Sequence, residues 1–356
     1  MVSFFSQWYK QKFSDPNAVT LVIILVMAFL AIYFFSGLLM PVFVAIAIAF
    51  LLDLPVNRLG QLGVSRLLST VVIVTAFVGL ALVAFLGLMP VIWQQSTTFI
   101  QEVPQMVSQG QIYLMTLPEK YPEFIRAEQI ELVINLVNDK FIEWGQVALK
   151  ASLNSISDIV ALLIYLILVP LMVFFFLKDK KDLLATFSDF LPKDRKMATQ
   201  VGNEMNQQIM NYIRGKVIEI LIIGTVSTIA FVILGLNYAV LLGVLVGLSV
   251  LVPYVGATIV TLPVLLVALF QWGAGAEFGY VMIAYAIIQA LDGNLLVPLL
   301  FSEAVNLHPV TIIIAVILFG GLWGFWGVFF AIPLATLVKA VLNAWPSSPV
   351  TSEATE

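Results

Sequence analysis

"LVPYVGATIVTLP", residues 251–263, lies inside an otherwise apolar run that extends from residue 239 to residue 271. Whether the chain runs straight through Pro253, Gly256 and Pro263 decides how the second half of this protein is folded. Proline removes a backbone donor and kinks a helix. A carbonyl freed in this way is tolerated at membrane depth only where protein or an aqueous cavity receives it. The run is therefore either one broken span or a re-entrant pair, and an ordinary kink or a tight turn at the membrane surface is the plainer alternative.

Composition makes a membrane the solvent. Of 356 residues, 61% are hydrophobic and 11% charged, and the mean hydropathy is +1.04. A water-soluble domain averages about 45–50% apolar and about 25% charged residues, and a surplus of this size cannot be hidden beneath a wetted surface. The net charge of −4 gives no basis for a nucleic-acid partner. With no cysteine, disulfides, thiolate metal sites and cysteine nucleophiles are excluded.

About 20 apolar residues cross a hydrocarbon core. Candidate spans fall at 19–35, 38–52, 67–92, 156–177, 217–234, 239–271, 278–300 and 309–338. The first is read as an uncleaved span, because no small-residue cleavage site closes it. The expected fold is an all-α integral membrane protein of about eight transmembrane helices, with broken or re-entrant segments in its C-terminal half. Residues 1–92 hold membrane helices 1–3, 93–153 an external (periplasmic) amphipathic helical region, and 154–177 membrane helix 4. Residues 178–216 form a cytoplasmic basic region, 217–340 the C-terminal membrane bundle and 341–356 a cytoplasmic tail. Within the external region Ile130, Ile134, Val137, Phe141, Trp144 and Ala148 recur at helical spacing.

Charge asymmetry orients the chain. Segment 178–216 carries eight Lys/Arg, whereas 93–153 carries four against seven Asp/Glu. The basic segment is expected in the cytoplasm, and Lys10, Lys12, Arg58 and Arg66 agree if the first two spans form a hairpin. Lys339 places the C-terminus on the same side, which requires an even number of crossings in that half.

The second interruption is "IIQALDGNLLVP", residues 287–298. Asp292 lies eight residues from the end of 278–300, about 12 Å inside. A carboxylate there costs about 2.5–3.5 kcal/mol on insertion scales, so it should face the bundle interior or water. Gln289 shares its face and Asn294 is near, and together they suit a cation, a proton or a hydroxyl-rich solute. Alternatively Asp292 caps a helix that starts at Gly293. The third interruption is "FGGLWGFWG", residues 319–327. Gly320 and Gly324, four apart, permit close approach of another helix, with Trp323 and Trp326 as packing rings.

"NEMNQQIMNYIRGK", residues 203–216, places Glu204, Gln208 and Asn211 on one helix face and Met205, Ile209 and Tyr212 on another. It feeds directly into a span and is a gate or collar, or merely an interfacial helix. Arg214 closes it, and Glu219, two residues into the span, faces headgroups or pairs locally. His308, before Pro309, tops a helix or serves a proton-linked role. It is the only histidine, so no metal site is expected. No GxxxxGK[ST], HExxH or GxSxG occurs, so ATP hydrolysis and the usual metalloprotease and serine-hydrolase chemistries are not expected, and neither is a cofactor.

"YIRGK", "VPYVGATIVTLP", "NLLVPLLFSEAVNLHP" and "FGGLWGFWGVFFAIPLATLVKAVL" occur in that order. In these motifs the chain resembles the autoinducer-2 exporter family, and its N-terminal "WYKQKFSDP" and "FFSGLLMP" place it nearest the permease subgroup. The resemblance covers about residues 5–346, with Pro253, Gly256, Pro263, Asn294, Pro298 and Pro309 as motif positions. It implies a bacterial inner-membrane protein with cytoplasmic termini, surrounded by membrane lipid and assembled as a homo-oligomer, with a pentamer as the form considered. It also implies export of autoinducer-2, or efflux of sodium or lithium against protons. Two function classes follow. One is a transporter for a small solute or cation, its pathway lined by Asp292, Gln289, Asn294, Pro253, Gly256, Pro263 and Pro298. The other is a scaffold whose external region binds envelope partners.

Overall fold

The computed structural model describes residues 16–120, 128, 130, 132, 134, 155–189, 196–253, 255–301 and 307–345, and every element assigned among them is helical. The protein is an all-α membrane protein. Helices at 37–61, 66–112, 199–233, 255–272, 276–301 and 309–329 are long and apolar enough to cross a bilayer. Shorter apolar helices lie at 19–35, 164–178, 239–249 and 331–344.

The N-terminal half is a three-helix layer. Helix α1 (Pro16–Gln61) is broken by non-helical geometry at Phe35, so the first two expected spans join through a kink without an intervening loop. A turn at residues 62–65 leads to α2 (Arg66–Lys120). At 55 residues, α2 is about 80 Å long, far beyond a hydrocarbon core of about 30 Å. It runs through residue 92 without a break, so the polar stretch that follows continues the same rod up to Lys120. Helix α3 (Ser155–Lys178) packs Val169, Val173 and Leu177 on Val74 of α2 and on Ala45, Ala49, Leu52 and Val56 of α1. The α1 positions recur at three- and four-residue spacing, and the two alanines let backbones approach. Of the amphipathic series expected further along, Ile130 and Ile134 are helical and buried, while Val137, Phe141, Trp144 and Ala148 lie outside the described residues.

A charged knot closes one end of this layer. Buried Asp53 receives Lys180 Nζ at 3.0 Å and Asn57 Nδ2 at 3.0 Å, with Arg66 Nη2 3.7 Å away. Arg66 Nε also donates to the Leu177 carbonyl at 2.9 Å. Lys180 opens the short helix α4 (Lys180–Asp189), so one carboxylate ties together α1, α2 and α4. Asp53→Ala strands two half-exposed cations and is expected to cost about 1–3 kcal/mol, read as a lowered thermal midpoint in detergent.

The C-terminal half is organised by α5 (Lys196–Ile233), which starts in the basic segment and continues without a break into the span. Helix α6 (Ala239–Ser249) turns back along its outer part. A Cβ added to Gly247 would lie 2.7 Å from Gly224 Cα, and one on Gly243 would collide with Thr228, so these backbones touch. Residues 250–253 then leave the helix, and α7 (Val255–Trp272) begins with Gly256 pressed on the Ser249 carbonyl. The Asn237 N–H donates to Gln271 Oε1 at 2.8 Å, and Gln271 Nε2 donates to the Gly235 carbonyl at 2.7 Å. The start of α6 and the end of α7 therefore meet. Of the readings open for 239–271, the geometry is the pair, a helical hairpin with its tip at Pro253.

Helix α8 (Ala276–Leu291) runs back toward the α5 start and continues through a π-helical segment, Asp292–Leu296, into α9 (Val297–Phe301). Pro298 explains the widening. It lacks an N–H, and its ring would clash with the carbonyl four residues before it, at Asn294. The chain relieves this with a longer bond, Val297 N–H to the Asp292 carbonyl. Helix α10 (Pro309–Phe329) folds back at Gly324, whose φ of 59° and ψ of −136° suit glycine alone. Helix α11 (Ala331–Ala344) completes this second hairpin, with Ala315 and Phe319 packed on Ala331 and Ala335.

The two hairpins approach from opposite ends. The first lies along the outer part of α5, while Ala340 of the second packs on Val201 and Met205 near the α5 start. Outside the two hairpins, α5 and the α8–α9 stretch are the long apolar helices of this half.

A polar clasp fixes the end where α6 begins. The Tyr238 hydroxyl donates to Glu102 of α2, and Gln95 Oε1 accepts the Leu241 N–H at 2.8 Å. Burial, then the hydrogen bond and charge of Glu102, push the Tyr238 phenol from 10.0 up to about 12. Because the folded value exceeds the unfolded one, the clasp contributes fully below about pH 10 and is lost as pH rises through about 12. In a tyrosinate absorbance titration, native protein minus Tyr238→Phe is expected to show one phenol titrating near 12. A difference near 10 would mean that the clasp is open.

Candidate functional site

Polar groups converge on one turn of α5, at the hairpin tips. Lys216, 4% exposed, donates from Nζ to Glu219 Oε2 and to the Val250 carbonyl, both at 2.7 Å. Glu219, three residues on, is 1% exposed. Val250 follows the last residue of α6, where an unbroken helix would have supplied a backbone donor. Lysine thus satisfies a carbonyl that the tip exposes. One turn earlier, the Tyr212 hydroxyl donates to the Phe329 carbonyl of the second hairpin at 3.0 Å. Adjacent positions on one face of α5 therefore hold one hairpin each. The Phe301 ring lies beside both, 5.2 Å from Lys216 Nζ and 6.0 Å from the Tyr212 ring. Gly215 makes room for it, since a Cβ there would sit 2.6 Å from the ring.

Asp292 enters from α8 and faces Glu219 and Lys216, so two carboxylates share one ammonium. Its Oδ1 is buried and has no hydrogen-bond partner, while Gln289 Nε2 on the same face makes no close hydrogen bond and lies toward the Tyr285 hydroxyl. Toward the first hairpin, the Tyr285 hydroxyl lies 2.9 Å from Thr261 Oγ1 and 3.1 Å from the Ala257 carbonyl. The polar line thus extends from α7 through α8 to α5. Unsatisfied buried atoms of this kind need an explanation, and a transient ligand is one.

The remaining expected residues divide. Asp292 does not cap a helix starting at Gly293. Its backbone is α-helical within a continuous, locally widened helix. Asn294 does not join the site, because it is exposed and its Nδ2 donates to the Ala290 carbonyl at 2.8 Å. Pro253 and Gly256 shape the first tip, Pro263 lies inside α7, and Pro298 accounts for the π segment. Gln208 Nε2 donates to Glu204 Oε1 at 3.1 Å one turn away, and Asn211 is half-buried. Arg214 Nη2 reaches the Phe50 carbonyl at 3.4 Å. The apolar face of this helix, Met205, Ile209 and Tyr212, packs on residues of α9, α10 and α11, so it is a helix-packing face.

His308 caps α10, accepting the Val310 N–H on Nδ1 at 3.3 Å, with Pro309 at the first helical position. Gly320 packs on Val328 within its own hairpin, where another helix had been expected, and Gly324 is the turn itself. Trp323 stacks on Phe319 and touches Phe29, while Trp326 packs among Phe325, Phe329 and Phe330.

Sequence reasoning missed Lys216, which it counted with the cytoplasmic bases, and Tyr212, Tyr285 and Asp53. One signal was available. Tyr212, Lys216 and Glu219 are spaced four and three apart, a shared helix face leading into a segment with no further charge up to residue 276.

The chain is similar to proteins named as transporters and permeases. The profile of a family described as "AI-2E family transporter" matches residues 22–347. "Putative permease PerM" of Escherichia coli (strain K12) is 50% identical over 353 residues, covering 99% of this chain and 100% of that protein. "Putative transport protein YueF" of Bacillus subtilis (strain 168) is 28% identical over 318 residues, 87% of this chain and 84% of that protein.

Proposed function

The chain belongs to the AI-2E transporter family, and from that premise we propose that it is a secondary permease whose solute or cation passes through the C-terminal half, between the hairpin tips, past Asp292 and Gln289. The observation that carries this reading is the cluster of Lys216, Glu219 and Asp292 at a helix break, with buried polar atoms left unpartnered. Carboxylates at membrane depth are costly and are retained where an ion or solute uses them, and discontinuous helices expose the carbonyls and dipole ends that bind such cargo. The reading includes autoinducer-2-like solutes and sodium or lithium exchanged for protons. It also places the protein in the bacterial inner membrane with both termini in the cytoplasm.

Assembly as a homo-oligomer belongs to the same proposal. Residues 79–91 of α2 are exposed around the whole helix, an apolar surface suited to lipid or to a second copy.

Flux into proteoliposomes loaded with a pH-sensitive dye tests the reading, with sodium, lithium and a hydroxylated furanose as challenges. Cation-dependent proton movement is expected for an antiporter, and solute flux alone for a facilitator. No flux from folded protein would sink the proposal and favour a scaffold.

A further inference from the structure

The place taken by the Lys216 ammonium has the chemistry of a seat for a monovalent cation. Two oxygens from different elements, Glu219 Oε2 and the Val250 carbonyl, point at it from 2.7 Å. The carbonyl belongs to the C-terminal end of α6, the negative end of that helix's dipole. The face of the Phe301 ring, 5.2 Å away, also favours a cation. Asp292 adds a second carboxylate within electrostatic reach.

A broken helix with exposed carbonyls beside a buried carboxylate is an arrangement that coordinates free cations. Here the chain brings its own. The ammonium is delivered from α5, with Gly215 beside it clearing space for Phe301.

We propose that Lys216 is a tethered cation that fills the monovalent-cation seat at the first hairpin tip, so that native protein binds neither sodium nor lithium there and loss of the ammonium opens the seat to both. The inference rests on the proposed transport reading only for what the seat serves. The seat itself is defined by its ligands. The charged side chains facing it are Glu219 on α5 and Asp292 at the start of the π-helical segment, and Tyr212 lies one turn away.

Thermal unfolding of the full chain in detergent tests this, in choline, sodium and lithium chloride at equal ionic strength. The native shift between choline and sodium or lithium, which cargo bound past Asp292 would set, is the baseline. Lys216→Ala and Lys216→Met are expected to melt lower in choline and to recover by about 5 °C, saturably, in sodium or lithium. Adding Asp292→Asn should remove that recovery. Folded Lys216 variants that gain no sodium or lithium recovery beyond the native shift would overturn the proposal, as would variants unfolded in every salt. Because the readout is binding, absent flux from native protein would defeat the transport reading and leave this one standing.

Discussion

Asp292→Asn is expected to cut transport by about tenfold or more, a loss equivalent to about 1.4 kcal/mol or more, while the protein remains folded. The substitution keeps shape and one acceptor oxygen but removes the second carboxylate that faces Lys216 and Glu219. With Lys216 positive, the native cluster has two carboxylates for one ammonium, so it can gain or release a positive charge. After the change, one carboxylate balances one ammonium and nothing further is needed. Folding should suffer little, because Asp292 is only partly buried and the asparagine amide can still meet the Glu219 carboxylate as a hydrogen-bond donor. Asn294→Ala is the control. Its amide bonds only the Ala290 carbonyl on an exposed face, so flux within twofold or so of native is expected. Equal losses in both variants would mean that the π segment matters as a shape and that Asp292 is not in the path.

The contrast between these neighbours shows what sequence reasoning can and cannot place. Intramembrane polarity singled out Asp292 and Gln289 from the sequence, because burying a carboxylate in hydrocarbon has few uses. It grouped Asn294 with them because the three are near in sequence. Side-chain direction in a helix, however, is set by turn geometry, and the π segment shifts that register for every residue after it. Pro298 was visible, but the residue it rotates was not.

The hairpins were half legible for a similar reason. Pro253 and Gly256 marked a break, whereas the direction of the chain after it depends on Gln271 meeting Gly235 and Asn237 across 36 and 34 positions. Local pattern carries no information about such a meeting. Gly324 misled differently. Spacing from Gly320 resembled a helix-contact stripe, and only its positive φ reveals a turn.

Glu219→Leu is expected to lower stability by about 3–5 kcal/mol, because it leaves the ammonium of Lys216 buried without its closest carboxylate. The loss should exceed that of Asp292→Asn, since Glu219 makes the 2.7 Å contact and is the more deeply buried of the two. Glu219→Gln is expected to fall between, as its amide oxygen still accepts from Lys216 but carries no charge. The decisive variant is the double change, Lys216→Met with Glu219→Leu. Replacing both members of a buried ion pair with apolar groups of similar volume is often neutral or stabilising. Most of the lost stability should therefore return, read as the thermal midpoint, even as flux stays abolished. That outcome would separate two roles that single substitutions confound. The pair would be dispensable for holding α5 against the hairpin tip and indispensable for moving charge past it. A double variant as unstable as Glu219→Leu alone would mean that the Val250 carbonyl, left without its lysine donor, is what the fold cannot tolerate.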